Sequence, residues 1–224
     1  MMRARLIGAG GVATVLLISR LALRNLGATC EERRRALPGD DVVPDATAAS
    51  TMATTIDAQP SAVWPWLVQM GCDRAGFYSW DRLDNGGRPS ADEVHREWQT
   101  LEVGDRVAST PSGKMWFEVA ELVPERALVL RASIDLRTSR PCDPRGPRPR
   151  LFTDGVWAFV LDELPGGRTR LIVRSRGITR PRPLGAQNLF FWDAAHVVMQ
   201  TRQFRNLKRR AERTAAEPTP AAVA

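Results

Sequence analysis

Few side chains in this chain are suited to chemistry on another molecule. Only two residues are histidine, His95 and His196, and only one is tyrosine, Tyr78. Cys30, Cys72 and Cys142 are odd in number and far apart, with no CxxC spacing and no nearby histidine pair, so neither a disulfide framework nor a zinc site is expected. No Ser-His-Asp order, phosphate-cradling glycine loop or HExxH stretch occurs, which removes the hydrolase, nucleotide triphosphatase and metalloprotease readings. What remains is proton transfer, in which an acid or base is held within reach of an organic substrate in a pocket that perturbs its pKa. His196 sits at the edge of an apolar helix face, roughly 100° around from Val197, and is either at a pocket rim or at the surface. The stretch GFYSWDRLDNGG, residues 76–87, places Tyr78 near Asp81 and Asp84. Tyr78 with Asp81 or His196 would form an acid–base pair; alternatively, the two aspartates mark the wet side of a short helix and Phe77, Tyr78 and Trp80 cover a cavity.

These residues need elements to position them. Thr51–Ile56 alternates as a first strand does, and Pro60 opens a helix through Met70 that Gly71 stops. Residues 76–87 then precede a β-rich half. Gly104–Ala108 is a short strand; Met115–Leu122 and Ala127–Ser133 form a hairpin around Val123-Pro124-Glu125-Arg126; Val156–Leu161 and Arg170–Ser175 form a second around Leu164–Gly167. The proline-rich Thr138–Arg150 between them reads as a solvated loop. Ala186–Arg213 is one long helix, with Phe190, Val197 and Phe204 at seven-residue spacing and a basic end. This order predicts an α+β fold in which a curved antiparallel sheet wraps around a long C-terminal helix, with two short helices after the first strand.

Charge separates the ends from the middle. The net charge of +7 is concentrated in residues 1–35, which carry +5 and leave +2 for the remainder. So balanced a remainder gives no electrostatic footprint for nucleic acid. Leu6–Ser19 is a run of fourteen uncharged residues flanked by arginines, and threonine stands where a signal-peptide cleavage site would need a small residue. The expected organisation is therefore a membrane anchor over residues 1–26, a linker over 27–50, a folded domain over 51–214 and a disordered tail over 215–224. The arginines after the run place that domain on the cytoplasmic side of a single-pass protein, with a cytoplasmic protein bearing a mobile tail as the alternative.

The stretches GATCEE (27–32), LPGDDVVPD (37–45), AVWPWLVQMG (62–71), GFYSWDRLDN (76–85), EWQTLEVGDRV (97–107) and HVVMQTRQFRNLKRRAE (196–212) resemble an uncharacterised bacterial subgroup of the SRPBCC superfamily. These are the START-like, polyketide cyclase/dehydrase-like helix-grip proteins. The resemblance extends over nearly all of residues 27–213 and implies the helix-grip fold, with a deep apolar pocket between sheet and long helix. In that superfamily the pocket takes lipids, sterols, polyketides or other hydrophobic small molecules; some members cyclise or dehydrate them and others only carry or sense them. The expected function is non-covalent binding of such a ligand without a cofactor. The alternatives are a cyclase or dehydratase using His196 with Tyr78 or Asp81, and an interaction module docking through the basic final helix. Expected pocket residues are Trp66, Phe77, Tyr78, Trp80, Trp98, Trp116, Phe117, Trp157, Phe159, Trp192, His196 and Met199. Strand alternation sends neighbours such as Trp116 and Phe117 to opposite faces, so some of these aromatics face inward, where they line a cavity or fill a dry core.

Overall fold

The computed structural model describes residues 23–216, apart from the side chains of residues 183–194. Seven strands form a single antiparallel sheet: β1 (Ala48–Ile56), β2 (Arg106–Ala108), β3 (Trp116–Val123), β4 (Ala127–Asp135), β5 (Arg140–Pro141), β6 (Phe152–Leu164) and β7 (Arg168–Arg180). Their order is β1-β7-β6-β4-β3-β2, with β5 paired to β4 off this path. Because β1 and β2 lie at opposite edges, the chain between them must cross one face of the sheet. That crossing carries α2 (Pro60–Val68), α3 (Asp81–Asp84) and a 3₁₀ turn at Arg96–Trp98. After β7 the long helix α4 (Arg182–Ala216) runs back over the same face, which completes the α+β helix-grip arrangement expected from the sequence.

Both expected hairpins are present, but β6 and β7 reach thirteen residues each, about twice the expected length. The added turns of ladder run through Thr153, Gly155, Gly177 and Thr179, which give no hydrophobic alternation; backbone pairing alone extends the strands there. On the inner face Met52, Leu128, Phe159 and Val173 pack with Trp66 and Leu67 of α2 and Phe204 and Leu207 of α4.

Residues 27–47, expected as a linker, pack against the outer face. Val43 lies with Val129, Val156 and Ile178, while Leu37 lies with Ala53, Val160 and Ile172. This strap contains α1 (Cys30–Arg34), whose N-terminus is closed by a capping box between Thr29 and Glu32. Three outward residues of β7 hold it. Arg170 donates to Glu32 Oε1 at 2.7 Å and to the Gly27 carbonyl at 2.6 Å, Arg174 reaches Asp40 Oδ2 at 2.6 Å, and Arg176 reaches Asp40 Oδ1 at 3.0 Å. Gly27 has φ +76°, and a Cβ there would stand 2.2 Å from the Ala53 carbonyl oxygen, so only glycine lets the strap meet the edge of β1.

The Arg170 guanidinium holds the Glu32 carboxyl below the usual carboxylate range. A folded value below the unfolded one means that this stabilisation is present at neutral pH and is lost as the pH falls through the folded value. Amide protection across Thr29–Arg35 is therefore expected to drop selectively as the pH falls below the ordinary glutamate range, with Glu32→Gln lacking that step; hydrogen exchange read as a pH series checks it.

The single-pass membrane expectation is corrected by the structure. Among the described residues no helix is long and apolar enough to cross a membrane. In the long helix Arg202, Arg205, Lys208, Arg209, Arg210 and Arg213 crowd the C-terminal part with charge. The run Leu6–Ser19, on which the anchor rested, and the tail from residue 217 lie outside the described residues.

Candidate functional site

The size of the side chains on the inner face changes by register row. Met52, Val173, Phe159 and Leu128 stand opposite one another across β1, β7, β6 and β4. Two residues along each strand come Ser50, Ser175, Trp157 and Leu130, and two further along come Ala48, Gly177, Gly155 and Ala132. In this last row nothing larger than a methyl group projects over about 14 Å, three inter-strand spacings. The two glycines are fixed by the backbone: a Cβ on Gly177 would lie 2.7 Å from the Asp154 carbonyl oxygen and 3.0 Å from the Gly155 Cα.

Exposure at this end is the reverse of an ordinary one-sided sheet. Ala48, Ala132, Gly155, Trp157, Ser175 and Gly177 on the inner face are half-buried, while Phe152, Asp154, Val156 and Ile178 on the outer face are buried beneath the strap. The helix-bearing face is thus the open one here.

An aromatic wall borders this small-residue floor. Trp157 lies 4.7 Å from Phe159, 5.9 Å from Phe77 and 5.8 Å from Phe117 between ring centroids, and Phe77 meets Phe117 edge-on at 6.2 Å. Phe77 and Phe159 are buried; Phe117 and Trp157 keep one side open. Polar groups are spaced along the wall. Trp157 Nε1 donates to Gln200 Oε1 at 3.2 Å, Gln200 Nε2 to Gln203 Oε1 at 2.7 Å, and Gln203 Nε2 to the Phe77 carbonyl at 2.9 Å. Where wall meets floor, Ser175 Oγ and His196 Nε2 share a hydrogen bond of 3.3 Å. The arrangement offers a flat apolar surface with a hydroxyl–imidazole pair at one side.

Five expected residues come together here: Phe77, Phe117, Trp157, Phe159 and His196. Tyr78 does not join them. Its hydroxyl accepts from Gln69 Nε2 at 2.9 Å, its carbonyl accepts from Asn206 at 2.8 Å, and Arg210 lies 5.1 Å over its ring. Arg210 follows His196 by fourteen residues, about 21 Å along a helix. Burial also drives the Tyr78 phenol well above its usual range. Asp81 is occupied by the N–H and hydroxyl of Ser90 at 3.1 and 2.6 Å. Trp66 is buried edge-on against Tyr78 at 5.9 Å, and Trp98 stacks beside His95 at 4.3 Å. Trp80 is 44% exposed with Arg202 across its ring, while the Met199 carbonyl accepts from the Ser79 hydroxyl at 3.1 Å. Trp116 takes the outer face beneath Arg106, as alternation with Phe117 requires. The side chain of Trp192 lies outside the described residues.

Sequence reasoning missed Ser175, Gln200, Gln203 and the paired glycines. Their signals were Gln200 and Gln203 at three-residue spacing on the apolar helix face, and Ser175 and Gly177 at alternate positions beyond Val173. On the outer face, Trp116, Glu118, Arg131, Ser133 and Cys142 line a depression of about 20 Å³, room for about one water. Among the described residues, no group of three or more His, Cys, Asp or Glu side chains could hold a metal ion.

An antiparallel sheet gripping one long terminal helix, with its inner face open at one end, defines the class as α+β helix-grip. No protein-family model and no curated protein matches the chain. Among solved structures it is similar to protein MLL2253 from Mesorhizobium loti, with 19% identity, coverage of 75% of this chain and 98% of that chain, and a TM-score of 0.41. It is similar also to a protein from Arthrobacter aurescens (14% identity, 79% and 92% coverage, TM-score 0.45) and to CalU16 from Micromonospora echinospora (16%, 75% and 86%, TM-score 0.36).

Proposed function

We propose that this protein binds a hydrophobic small molecule non-covalently, as an SRPBCC-type carrier or sensor. In this reading a flat ligand lies on the floor formed by Ala48, Gly177, Gly155 and Ala132, its edge against Phe117 and Trp157 and its polar end at Ser175 and His196. The observation that carries it is the half-exposed small-residue row beside a half-exposed aromatic wall, on the face that a dry core would have sealed. Covering about 250 Å² of apolar ligand surface yields about 6 kcal/mol at 25 cal/mol per Å² before the cost of association. Hydrogen bonds to the polar end add about 1 kcal/mol each, and the cost of association offsets part of the sum.

A second reading has its own support. The hydrogen bond between Ser175 and His196 gives the imidazole a partner through which a proton could pass to or from a bound ligand, so a cyclase or dehydratase would use this pair in place of His196 with Tyr78 or Asp81.

Titration with 1-aminoanthracene tests the binding reading. Saturable one-to-one binding is expected, with Ser175→Ala weakening hydroxylated or carboxylated polycyclic competitors about 5–10-fold, the worth of one hydrogen bond, and leaving pure hydrocarbons unchanged. Absence of saturable binding would overturn it. Turnover of a bound ligand that survives in His196→Ala would sink the enzymatic reading.

A further inference from the structure

The segment Gly76–Gly87, which contributes Phe77 to the aromatic wall, contains an unsatisfied charge site. Both carboxylate oxygens of Asp84 in α3 are shut away from solvent without a well-formed hydrogen bond, as is the Oδ1 of Asn85 beside it, although the N–H groups of Trp80 and of Asp84 itself lie near the carboxylate. Ser79 is within reach of Asp84 but directs its hydroxyl to the Met199 carbonyl. Such a carboxylate is tolerable when protonated and costly when ionised.

Among the described residues no cation compensates it. Within its own element Asp81, of the same sign, acts on it, while Arg82 is exposed. From the turn after α2 it meets Cys72, whose Sγ donates to the Asp84 carbonyl at 2.8 Å, with Asp73 next to that thiol. From the following loop Arg88 approaches Cys72, but its guanidinium is engaged by the carbonyls of Cys72 and Arg74. From α4 the charged group is Arg202, held 5.0 Å over the Trp80 ring. The segment is tied to α4 by hydrogen bonds to main-chain oxygens, Ser79 to Met199, Gln203 to Phe77 and Asn206 to Tyr78, and by Arg202 over the Trp80 ring and Arg210 over the Tyr78 ring.

We propose that Gly76–Gly87 is a pH-operated lid, which lies shut while Asp84 carries its proton and loosens when this buried carboxylate ionises. Burial, and after it the like charge of Asp81, pushes the Asp84 carboxyl up to about 6. Because the closed-state value lies above the open-state value, the stabilisation is complete below the ordinary aspartate range and is lost as the pH rises through about 6. Opening should therefore increase about tenfold per pH unit between roughly 4 and 6 and level off above. The movement would reach the groove through the run Phe77 carbonyl, Gln203, Gln200, Trp157. The lid motion itself needs no ligand; only its consequence, faster ligand exchange at neutral pH, rests on the binding reading.

Hydrogen exchange of the amides of residues 77–87 in the full chain, corrected for intrinsic rates, tests the lid between pH 4.5 and 7. Protection in the wild type should fall by that slope up to about pH 6, Asp84→Asn should be flat and better protected at pH 7, and Asp81→Asn should move the inflection to lower pH. A flat wild-type profile overturns the proposal, as does the same slope in Asp84→Asn. If Asp84→Asn fails to fold, an unmoved inflection in Asp81→Asn overturns it. A pH-dependent lid in a protein that does not bind 1-aminoanthracene leaves the lid standing and removes the binding reading, whereas pH-independent release from a protein that binds it overturns only the link between lid and groove.

Discussion

Arg174→Met will lower the free energy of unfolding by about 3 kcal/mol or more, the cost of breaking a buried, hydrogen-bonded ion pair from one side. Arg174 is only 5% exposed, although its charge lies on the outer face of a sheet. Its guanidinium donates to Thr51 Oγ1 at 3.1 Å, Asp40 Oδ2 at 2.6 Å, the Arg35 carbonyl at 3.0 Å and the Glu32 carbonyl at 2.6 Å. Methionine fills the stem's volume but leaves two part-buried strap carbonyls and the buried Thr51 hydroxyl without the partner they had. Asp40 retains Arg176 and the Leu37 N–H, which keeps the expected loss near the lower end of the range for such pairs. Arg174→Lys should recover less than half, since an ammonium cannot address four acceptors in the plane of a fork. Denaturant unfolding monitored by fluorescence measures both; a loss under about 1 kcal/mol, the worth of a surface ion pair, would mean that Arg174 does not hold the strap to β7.

Ala132→Trp should abolish ligand binding with little effect on stability. The new side chain lies across Gly155 and Gly177, the part of the floor with no side chains of its own. A bound polycycle and an indole cannot occupy the same surface, so affinity for 1-aminoanthracene should fall at least 100-fold, about 2.7 kcal/mol. The Ala132 methyl is only half-buried, so the indole has an exposed side to grow from. Were this end of the inner face a dry core, the same substitution would instead overpack it and cost about 1–3 kcal/mol of stability. Melting and titration of the one variant therefore separate a groove from a core.

The framework was legible in the sequence because hydrophobic period is a local property. The hairpins around Val123–Arg126 and Leu164–Gly167, the helix opened by Pro60 and the long final helix each advertise themselves within a dozen residues. The floor was not legible, because it exists only when Ala48, Gly177, Gly155 and Ala132 are aligned by the registers of three strand pairs. The strap was missed for a related reason. Pro, Asp and Ala in residues 36–50 carry a linker's composition, and what docks them is a set of arginines more than a hundred residues later. Tyr78 shows the limit of reading proximity from sequence. It neighbours Phe77, which meets the wall, yet its backbone at φ 58° is left-handed, a strained setting for a bulky residue, and its hydroxyl lies with Gln69.

The most direct measurement is the amide spectrum of the full chain during titration with 1-aminoanthracene. Gly155 and Gly177 give isolated glycine resonances on the floor itself, while Cys142 and Ser133 report the small depression on the outer face. Saturable shifts at Gly155, Gly177, Ser175 and Ala132, with Ser133 and Cys142 unmoved, are the predicted result. Shifts confined to the outer face, or none at concentrations well above the micromolar range, would contradict a ligand site between the sheet and its long helix.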